Sequence, residues 1–493
     1  MKLSNLLPSG SYRSSIPAEE IEIHGLSEHT SEIEPNSAFI ARKSESFDPL
    51  HFLSRLEKEG IKAIVLEEGH SLPYHTDIPC FFVKDIEKTS AILWSNYYGS
   101  PQNELSLVGI TGTNGKTTTA LILSHLLNAS ERKCGYIGTL GVISGKKSHE
   151  ELKEGNMTTP SPRYLFRALR TLCEEGCKYA VLEVSSHALV QKRVLPLSFT
   201  VSVFTNLSED HLDYHGSMEE YLKAKMLIFR QSSHALINLD DPCGKEIYQQ
   251  LLIPKTSFGI FEYADHTLTD LNERSSQGTH YTYQSPDGSF PIKTSLVGTF
   301  NLYNALAATA TATLLGLSSE EIQRAHASLP PIKGRMERLP VEKYGASFSV
   351  IIDYAHTPNA MEAAIRCAKK FTRGRVIAVF GAGGDREKEK RSKMGKIAER
   401  FADFSIVTTD NSRGETPLCI IRDILEGMPK QEKRRVISSR KSAIEAALSC
   451  AKEGDTVLLL GKGHEEYLIQ KDGSIPFSER EIVDNFLSKR GTL

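Results

Sequence analysis

Hydrophobic positions along the chain fall into two kinds of segment that alternate with each other. Short apolar runs, each about five residues long, are followed by longer stretches in which apolar residues recur every three or four positions. The short runs predict buried strands, and the longer stretches predict amphipathic helices. Strands that alternate with helices are typical of a mostly parallel sheet covered by helices. The pattern therefore predicts an α/β protein.

The predicted strands form three groups, which we interpret as three domains. Residues 1–99 would be a small α/β domain, residues 100–333 a central doubly wound, mostly parallel sheet, and residues 334–493 a Rossmann-like α/β domain. A chain of 493 residues is too long for a single core, which agrees with this division. The predicted strands are residues 37–40, 63–66 and 80–83 in the first domain, 105–110, 179–184, 199–204 and 235–238 in the second, and 349–353, 376–380, 404–408 and 457–460 in the third.

A glycine-rich loop lies between the first central strand and the helix that follows it. Its glycines recur every third residue up to Gly115, and Lys116 and Thr117 come directly after. The N–H groups of such a loop and the positive end of the helix bind polyphosphate, while the lysine neutralises phosphate charge and the threonine hydroxyl binds Mg²⁺. The usual pattern has glycine where this chain has Ile110, so the loop fits as a variant in which Gly112 makes the turn. The alternative is a glycine-rich turn before a core helix.

Polar residues after the other central strands are the next candidates. Glu183 ends an apolar strand, where a buried carboxylate is costly unless a cation or a donor meets it. We interpret it as a Mg²⁺ ligand, with a buried ion pair as the alternative. The segment 210–215 concentrates aspartate and histidine around His211, as a metal site would. Lys225 follows on a predicted helix and by itself indicates a solvated lysine, while Ser185-Ser186-His187 lacks the Gly-x-Ser-x-Gly elbow of a serine hydrolase.

Polar residues toward the end of the chain leave alternatives open. Asn301 and Asn304 share one face of a predicted helix, where they would either read a base edge or cap the helix. Arg335 would either reach a phosphate or make a surface ion pair. Each strand of the third domain ends in a polar or glycine-rich cluster, which predicts a second binding surface. These clusters are residues 353–356, 381–386, 409–413 and 461–465.

The composition and the net charge exclude several functional classes. The net charge is −2, with 59 basic and 61 acidic residues, so the protein as a whole offers no surface for nucleic acid. Residues 1–13 contain too few apolar side chains for a secretion signal, and the alanine- and threonine-rich run at 305–317 is too short to span a bilayer. A cytoplasmic enzyme is therefore expected. The eight cysteines show no Cys-x-x-Cys spacing and are expected to be reduced, mostly buried thiols without disulfides or zinc.

With these segments assembled, the chain resembles the Mur ligase family. The resemblance implies an ATP-dependent ligase that adds an amino acid to UDP-N-acetylmuramoyl-L-alanyl-D-glutamate through an acyl phosphate, with two Mg²⁺ ions. Its partners would be that nucleotide, ATP and meso-diaminopimelate, without nucleic acid or membrane, and a monomer is expected. The matching strings, in family order, are residues 112–118, 158–160, 183–187, Gln191 with Arg193, 206–216, 224–225, 298–304, 334–337, 353–358, 383–386 and 461–465.

The resemblance also implies roles for individual residues. Lys116, Glu183, His211 and Lys225 would be catalytic, and Lys225 would carry a carbamate that holds metal together with Thr117, Glu183 and His211. The implied ATP-binding residues are Gly112, Thr113, Asn114, Gly115, Lys116, Thr117, Thr118, Asn301, Asn304, Arg335, Asp353 and His356. The implied contacts of the UDP-substrate are Thr30, Ser46, Thr158, Thr159, Ser185, Gln191 and Arg193. The implied diaminopimelate residues are Arg386, Asp410, Asn411, Ser412, Arg413, Gly461 and Glu465.

The third domain indicates which amino acid is added. Residues 410–413 resemble the Asp-Asn-Pro-Arg motif of members that take meso-diaminopimelate, with Ser412 in place of the proline. Arg413 would pair with the distal carboxylate, which L-lysine lacks, and Glu465 would hold the distal ammonium. In the first domain the family's Asp-Ser-Arg uridine motif should fall at residues 29–31, where this chain has His-Thr-Ser, so Thr30 would supply the hydroxyl.

Three alternatives stay open at this point. The first is the same ligase with L-lysine as substrate. The second is folylpolyglutamate synthase, which shares the loop but is disfavoured by the first domain and by residues 191–193. The third is a P-loop ATPase that is not a ligase, which would need a residue that positions water but no carbamylated lysine and no amino-acid pocket.

Overall fold

The computed structural model consists of two compact units. The first comprises Met1–Phe258 and Ala310–Leu317, and the second comprises Gly259–Thr309 and Ser318–Leu493. Both contain sheets of mainly parallel strands with helices between them, which confirms the predicted α/β fold class. The domain boundaries expected near residues 99 and 333 remain predictions. The residues that the structure describes are 1–8, 10–44, 47–155, 157–275 and 278–490.

The first sheet of unit 1 has five strands in the order β1-β5-β4-β3-β2. The pairs among β2, β3, β4 and β5 are parallel, and β1 is antiparallel to β5. The predicted strands at 37–40, 63–66 and 80–83 correspond to β3, β4 and β5. The elements are β1 (Tyr12–Arg13), β2 (Leu26–Ser27), β3 (Ala38–Ala41), α1 (Leu53–Lys58), β4 (Ala63–Glu67), β5 (Cys80–Val83) and α2 (Ile86–Tyr97).

The second sheet of unit 1 has eight strands in the order β13-β12-β11-β6-β10-β7-β8-β9. Six of them, β13 to β7 in that order, are parallel. The predicted strands β6, β10, β11 and β12 are almost fully buried, which explains why they read as continuous apolar runs, whereas β7 and β13 were not predicted. The elements are β6 (Ser106–Thr111), α3 (Lys116–Ala129), β7 (Cys134–Gly138), β8 (Gly141–Ser144), β9 (Lys147–Ser148), α4 (Pro162–Glu174), β10 (Tyr179–Glu183), α5 (Ser186–Val190), β11 (Phe199–Phe204), α6 (Leu212–His215), α7 (Met218–Met226), β12 (Ala235–Asn238), α8 (Pro242–Gln250) and β13 (Lys255–Phe258). The antiparallel edge formed by β8 and β9 was not predicted.

Unit 2 begins with a three-stranded antiparallel sheet that the sequence did not reveal. Its strands carry threonine, histidine and glutamine between the apolar positions, and β15 alternates buried with exposed side chains. They therefore lack the continuous apolar runs that predicted the parallel strands. The elements are β14 (Thr267–Ser275), β15 (Gly278–Ser285), β16 (Gly288–Thr294), α9 (Thr299–Leu314) and α10 (Ser319–Ala327). The part of α9 from Ala310 onward belongs to unit 1.

The main sheet of unit 2 has six strands in the order β17-β18-β22-β19-β20-β21. Alternate residues of its central strands face two different cores: Ile351 and Ala378 belong to the core with α11, α12 and α13, and Val350 and Ile377 to the core with α14 and α15. The sheet is therefore doubly wound, as predicted. The elements are β17 (Glu337–Leu339), β18 (Ser349–Asp353), α11 (Pro358–Phe371), β19 (Val376–Phe380), α12 (Glu389–Phe401), β20 (Phe404–Val407), α13 (Pro417–Leu425), β21 (Arg434–Val436), α14 (Arg440–Cys450), β22 (Thr456–Leu460), β23 (Tyr467–Gln470), β24 (Gly473–Pro476) and α15 (Glu479–Arg490).

The structure bears on two expectations that came from the composition, one about membrane-spanning segments and one about the cysteines. Within the described ranges, none of the helices combines the length and the apolar character needed to cross a bilayer. All eight cysteines are free thiols. The expectation that most of them are buried is wrong: only Cys134, Cys177 and Cys367 are, because the other five lie on helices or at strand ends that face solvent in part.

Candidate active site

The predicted phosphate loop connects β6 to α3, at the carboxyl end of the central strand of the eight-stranded sheet. Gly112 has φ +145°, and a Cβ at this position would lie 1.9 Å from the Thr205 hydroxyl, so only glycine fits. The ammonium of Lys116 folds back over the loop and donates to the carbonyl oxygens of Gly112 and Thr113 at 2.8 and 2.9 Å. The geometry is that of a loop ready to receive phosphate.

The loop is held from outside by the segment that follows β11. Asn206 accepts from the N–H of Asn114 at 3.0 Å and donates to its carbonyl at 3.0 Å. Thr205 donates to the same carbonyl at 2.7 Å, and the N–H of Ser208 donates to the Thr113 hydroxyl at 3.0 Å. Sequence reasoning did not assign roles to these supporting residues, although they follow a predicted strand end, which was the available signal.

Glu183 lies at the end of β10 and is 1% exposed. Its Oε2 accepts from the hydroxyls of Thr117 and Thr139 at 2.8 and 3.1 Å, and its Oε1 accepts from the Thr139 N–H at 2.9 Å and from the Tyr136 hydroxyl. Among the described residues these partners are neutral donors, so the structure does not show the ion pair considered as an alternative. Tyr136 and Thr139 lie far from Glu183 in the chain. They were missed because only the pairing of β7 with β10 in the sheet brings them to Glu183.

The donor set around Thr117 and Glu183 fits Mg²⁺. Both side chains offer oxygen atoms, which this ion prefers, and it commonly binds through one or two protein groups together with phosphate oxygens and water. In the described part of the chain, no group of three or more His, Cys, Asp or Glu side chains is arranged to hold a metal alone. A site completed by a bound polyphosphate therefore agrees better with these residues than an all-protein metal cage.

Lys225 on α7 is 1% exposed, so the interpretation as a solvated helix lysine is wrong. The helix α7 packs against α5, and the Lys225 ammonium lies 4.4 Å from the centroid of the Tyr221 ring. Burial, with the nearby positive charge of Lys116, lowers the pKa of Lys225 well below its ordinary value. Two residues earlier on the same helix, Lys223 is exposed, and ion pairs with Glu219 and Glu220 raise its pKa to about 12.

His211 stands in a group of rings near Lys225. Its backbone is left-handed, with φ +55°, at the start of α6. Burial lowers its pKa, and the charges of His187, Lys116 and Lys225 add to this effect. The His187 ring lies 5.0 Å from that of His211, and His215 stacks on Tyr221 at 4.8 Å. Lys116, His211 and Lys225, predicted separately, therefore share one electrostatic environment.

The residues predicted to contact the UDP-substrate form a connected surface beside Glu183. Thr159 donates to the Glu183 carbonyl at 2.8 Å and accepts from the Ser185 N–H at 2.9 Å. Arg193 donates to the Thr159 carbonyl at 2.8 Å and to the Gln191 amide oxygen at 2.9 Å. Thr158 accepts from the Thr139 hydroxyl at 3.3 Å.

The first-domain contacts of that substrate are less well defined. Thr30 is half-buried in the turn after β2. Ser46 lies outside the residues that the structure describes. The uridine contacts therefore remain predictions.

The other predicted ATP residues lie in unit 2. Asn301 is buried and its amide donates to the Val297 carbonyl, just before the start of α9, at 3.0 Å. The Asn304 amide, also buried, donates to the side-chain oxygen of Asn301 at 3.3 Å. Both amides thus support the start of α9. A role for either in reading a base remains a prediction.

The remaining residues of this set surround the start of β17 and the end of β18. Asp353 is buried and accepts from the N–H groups of Met336 and Ala355 at 2.7 and 2.8 Å, and burial raises its pKa. The Arg335 guanidinium stacks on Tyr354 at 4.7 Å, and the ring of His356 lies 4.8 Å from the same tyrosine.

The predicted amino-acid residues come from three loops at the carboxyl ends of β19, β20 and β22. The Arg413 guanidinium donates to the Gly384 carbonyl at 2.8 Å, and this is its side-chain hydrogen bond within the described part of the chain. Gly384 must be glycine, because a Cβ there would lie 1.9 Å from the carbonyl oxygen of Ser412. Arg386 is exposed. Gly461 has φ +109°, and a Cβ there would meet the Asp410 carboxylate at 2.5 Å.

Lys462 is a fully buried residue of this region to which the sequence assigned no role. Its ammonium donates to Glu465 Oε2 at 2.5 Å and to Asn411 Oδ1 at 2.9 Å, and it lies 3.8 Å from Asp410. Asn411 also donates to Glu465 Oε2 at 2.9 Å. One buried cation thus fixes three of the predicted amino-acid residues.

Replacing Lys462 by methionine is expected to lower stability strongly. The change leaves the Glu465 carboxylate without its buried cation, and loss of one partner of such a pair costs about 3–5 kcal/mol. Thermal unfolding should therefore show a fall of several degrees in the apparent melting temperature. Lys471→Met, at the exposed turn between β23 and β24, is the control. Equal melting temperatures for both variants would contradict the role assigned to Lys462.

Comparison with known proteins identifies the family. The Mur ligase middle domain matches residues 110–312, and the Mur ligase glutamate ligase domain matches residues 334–463. The UDP-N-acetylmuramoyl-L-alanyl-D-glutamate--2,6-diaminopimelate ligase of Clostridium botulinum is 34% identical over 490 residues, which cover 99% of this chain and 100% of that protein. The enzyme of the same name from Geobacillus thermodenitrificans is 38% identical, over 93% of each chain.

Solved structures agree with this assignment. A structure of UDP-N-acetylmuramoyl-L-alanyl-D-glutamate--2,6-diaminopimelate ligase superposes with a TM-score of 0.70 at 27% identity, covering 99% of both chains. MurF ligase from Thermotoga maritima, crystallised with ADP, has the same fold, with a TM-score of 0.63 at 22% identity over 96% of this chain and 99% of its own. The chain belongs to the Mur ligase family.

Proposed function

We propose that this chain is an ATP-dependent ligase that joins meso-2,6-diaminopimelate to the glutamate carboxylate of UDP-N-acetylmuramoyl-L-alanyl-D-glutamate. The observation that carries the proposal is the match to ligases of that name over nearly the whole chain. The phosphate loop with Thr117 against the buried Glu183, and the polar loops after β19, β20 and β22, supply independent physical support. The products would be the UDP-tripeptide, ADP and phosphate.

In the first step a carboxylate oxygen of the substrate attacks the γ-phosphorus of ATP, and the bond to ADP breaks. This chemistry requires positioned charge rather than a covalent nucleophile on the protein. Lys116 would turn from the loop carbonyls toward the phosphates, and the N–H groups of residues 112–118 would bind them. Asn301, Asn304, Arg335, Asp353 and His356 are proposed as further ATP contacts.

Mg²⁺ bound at Thr117 and Glu183 would neutralise charge on the transferred phosphoryl group. The hydrogen bonds from Tyr136 and Thr139 keep the Glu183 carboxylate oriented toward Thr117. His211 and a carbamate on Lys225 are proposed to hold a second ion. The carbamate would replace a buried cation by an anion, and the anion would be stabilised by the positive charge of Lys116.

In the second step the amine of diaminopimelate attacks the acyl carbon, phosphate leaves, and the amine loses a proton. Arg413 is proposed to pair with the distal carboxylate and Glu465 to hold the distal ammonium, and Arg386 is proposed as a further residue of this site. Lys462 and Asn411 keep Glu465 in place. The remaining members of this site are Asp410, Ser412 and Gly461.

The UDP-substrate would lie along Thr158, Thr159, Ser185, Gln191 and Arg193, next to the strand end that carries Glu183. Thr30 and Ser46 are proposed as its uridine contacts. The cytoplasmic location and the monomeric state remain predictions from the sequence.

Phosphate release from ATP is expected to require both the UDP-dipeptide and diaminopimelate. The test is a panel of amino acids, including L-lysine, with UDP-dipeptide, ATP and Mg²⁺, in which phosphate and the UDP-tripeptide are both measured. Only diaminopimelate should give stoichiometric product. Phosphate release that ignores both substrates would favour an ATPase of another class, and equal product with lysine would refute the specificity.

A further inference from the structure

The two loops that carry Arg386 and Arg413 are joined by a buried ion cluster outside the proposed amino-acid site. Arg391 on α12 has only 1% of its surface exposed. Its guanidinium binds the Glu415 carboxylate with two hydrogen bonds, of 2.9 and 2.6 Å, and donates to Asp423 on α13 at 2.8 Å. A bidentate pair of this kind fixes both position and angle.

Glu415, in the loop that carries Arg413, also bonds to the backbone of the loop that carries Arg386. Its Oε1, which is bound to Arg391, also accepts from the N–H of Asp385 at 2.6 Å. The Asp385 carboxylate in turn accepts from the N–H of Gly414 at 2.9 Å. Arg391 itself donates to the Gly383 carbonyl at 3.3 Å. The ion pair thus ties residues 383–385 to residues 414–415.

The inner side of the same two loops carries the predicted ligand groups. The N–H of Gly384 donates to the Asn411 carbonyl at 2.8 Å, and the Arg413 guanidinium donates to the Gly384 carbonyl at 2.8 Å. Arg413 has φ +49°, an uncommon backbone conformation for a residue other than glycine. Such a conformation persists where its surroundings hold it in place. The cluster at Arg391 and Glu415 lies where it can provide that restraint.

We propose that Arg391 and Glu415 are positioning residues that set the distance between Arg386 and Arg413, and thereby the affinity for the distal carboxylate of the amino acid. The proposal rests on the proposed function, since it takes both arginines as residues of the amino-acid site and Arg413 as the contact of that carboxylate. Neither Arg391 nor Glu415 is proposed to touch the substrate. Their effect passes through Asp385 and Gly414.

The restraint is available throughout the working pH range. The hydrogen bonds from Arg391 are the largest cause that lowers the pKa of Glu415, to about 2. A carboxylate with a depressed pKa contributes its stabilisation above its unfolded pKa and loses it only as the pH falls through the folded value. The ion pair of Arg391 and Glu415, which we call the clamp, therefore holds the two loops together over this pH range and does not act as a pH switch.

Glu415→Gln is the variant that tests the clamp, and Asp423→Asn is its matched control. Both changes neutralise one carboxylate on the same guanidinium, and the two side chains are similarly exposed, 19% for Glu415 and 25% for Asp423. Only Glu415 also bonds the backbone of the opposite loop. Arg391→Lys, which cannot form the bidentate pair, is the second test variant.

In Glu415→Gln and Arg391→Lys, the KM for diaminopimelate is expected to rise about tenfold or more, because a small displacement of a positioning group costs this much. The KM values for ATP and the UDP-dipeptide should not change. Hydrogen exchange in the free enzyme should be faster in segments 383–385 and 411–415. Asp423→Asn should leave both the KM values and the exchange as in the unaltered enzyme. An unchanged KM for diaminopimelate in both test variants, or equal effects in Asp423→Asn, would overturn the proposal.

If the proposed function is wrong, the substrate panel reveals this independently of the result for the clamp. In that case the unaltered enzyme ligates no diaminopimelate, and the KM comparison is made with the amino acid that the substrate panel identifies. The exchange comparison needs no substrate. Unchanged exchange in Glu415→Gln and Arg391→Lys overturns the clamp whatever the substrate is.

Discussion

Replacing Lys225 by alanine is expected to abolish ligation, with a loss of at least about a thousandfold in kcat, a size typical for removal of a group that acts on the transition state. The lysine is buried, and its ammonium faces only the ring of Tyr221 among the contacts described above. Its lowered pKa favours the neutral amine that reacts with carbon dioxide. The resulting carbamate would supply the anionic oxygen atoms that a second Mg²⁺ requires.

Lys223→Ala on the same helix is the matched control. Lys223 is exposed, and its ion pairs with Glu219 and Glu220 raise its pKa to about 12, so it stays a protonated cation that does not form a carbamate. This variant should keep near-normal activity. Short carboxylic acids should partly restore the Lys225→Ala enzyme, because they can place an anion in the space left by the side chain. Labelled bicarbonate should give a carbamate signal in carbon NMR of the unaltered protein and of Lys223→Ala. Full activity of Lys225→Ala, or failure to detect the carbamate, would contradict the assignment.

Replacing Arg413 by alanine is expected to raise the KM for diaminopimelate by about a hundredfold while ATP binding stays normal. Truncating one partner of a buried, hydrogen-bonded charge pair costs about 2–5 kcal/mol, a factor of roughly thirty to several thousand, and a hundredfold change lies within this range. Arg413 is held against Gly384, so its free N–H groups are already directed when the ligand arrives. Steady-state kinetics with each of the three substrates varied in turn would measure the effect.

Two comparisons make this result specific. Arg422→Ala removes an exposed arginine from α13 and should change none of the three KM values. The Arg413→Ala enzyme should also lose most of its preference for diaminopimelate over L-lysine, because lysine lacks the carboxylate that the arginine would bind. A preference that survives the substitution would show that another group reads the distal carboxylate.

The parallel strands could be predicted from the sequence because of the way they are buried. Strands that are covered on both faces must be apolar throughout, so β11, β12, β18 and β19 could be located with their observed bounds. The antiparallel strand β15 alternates buried with exposed side chains and lacks a continuous apolar run, so the sheet of β14, β15 and β16 was missed.

Which residues of a predicted helix are buried was harder to predict from the sequence. The pattern of α7 indicated a helix but not which neighbour covers it. Lys225 was therefore interpreted as solvated until the resemblance suggested otherwise, and the structure shows it buried.

The sequence by itself determined the parts of this protein that are local in the chain. The strand, glycine loop and helix around Lys116 and Thr117, and the polar residues after each strand, follow from spacing and residue type alone. Only the tertiary structure decided which of these residues meet. Tyr136 binds Glu183 on the neighbouring strand, Lys462 donates to Asn411, and Arg391 on α12 reaches Glu415 in the loop before α13. Such contacts join residues far apart in the chain, so no local period records them, whereas burial makes each unpaired charge costly enough to require them.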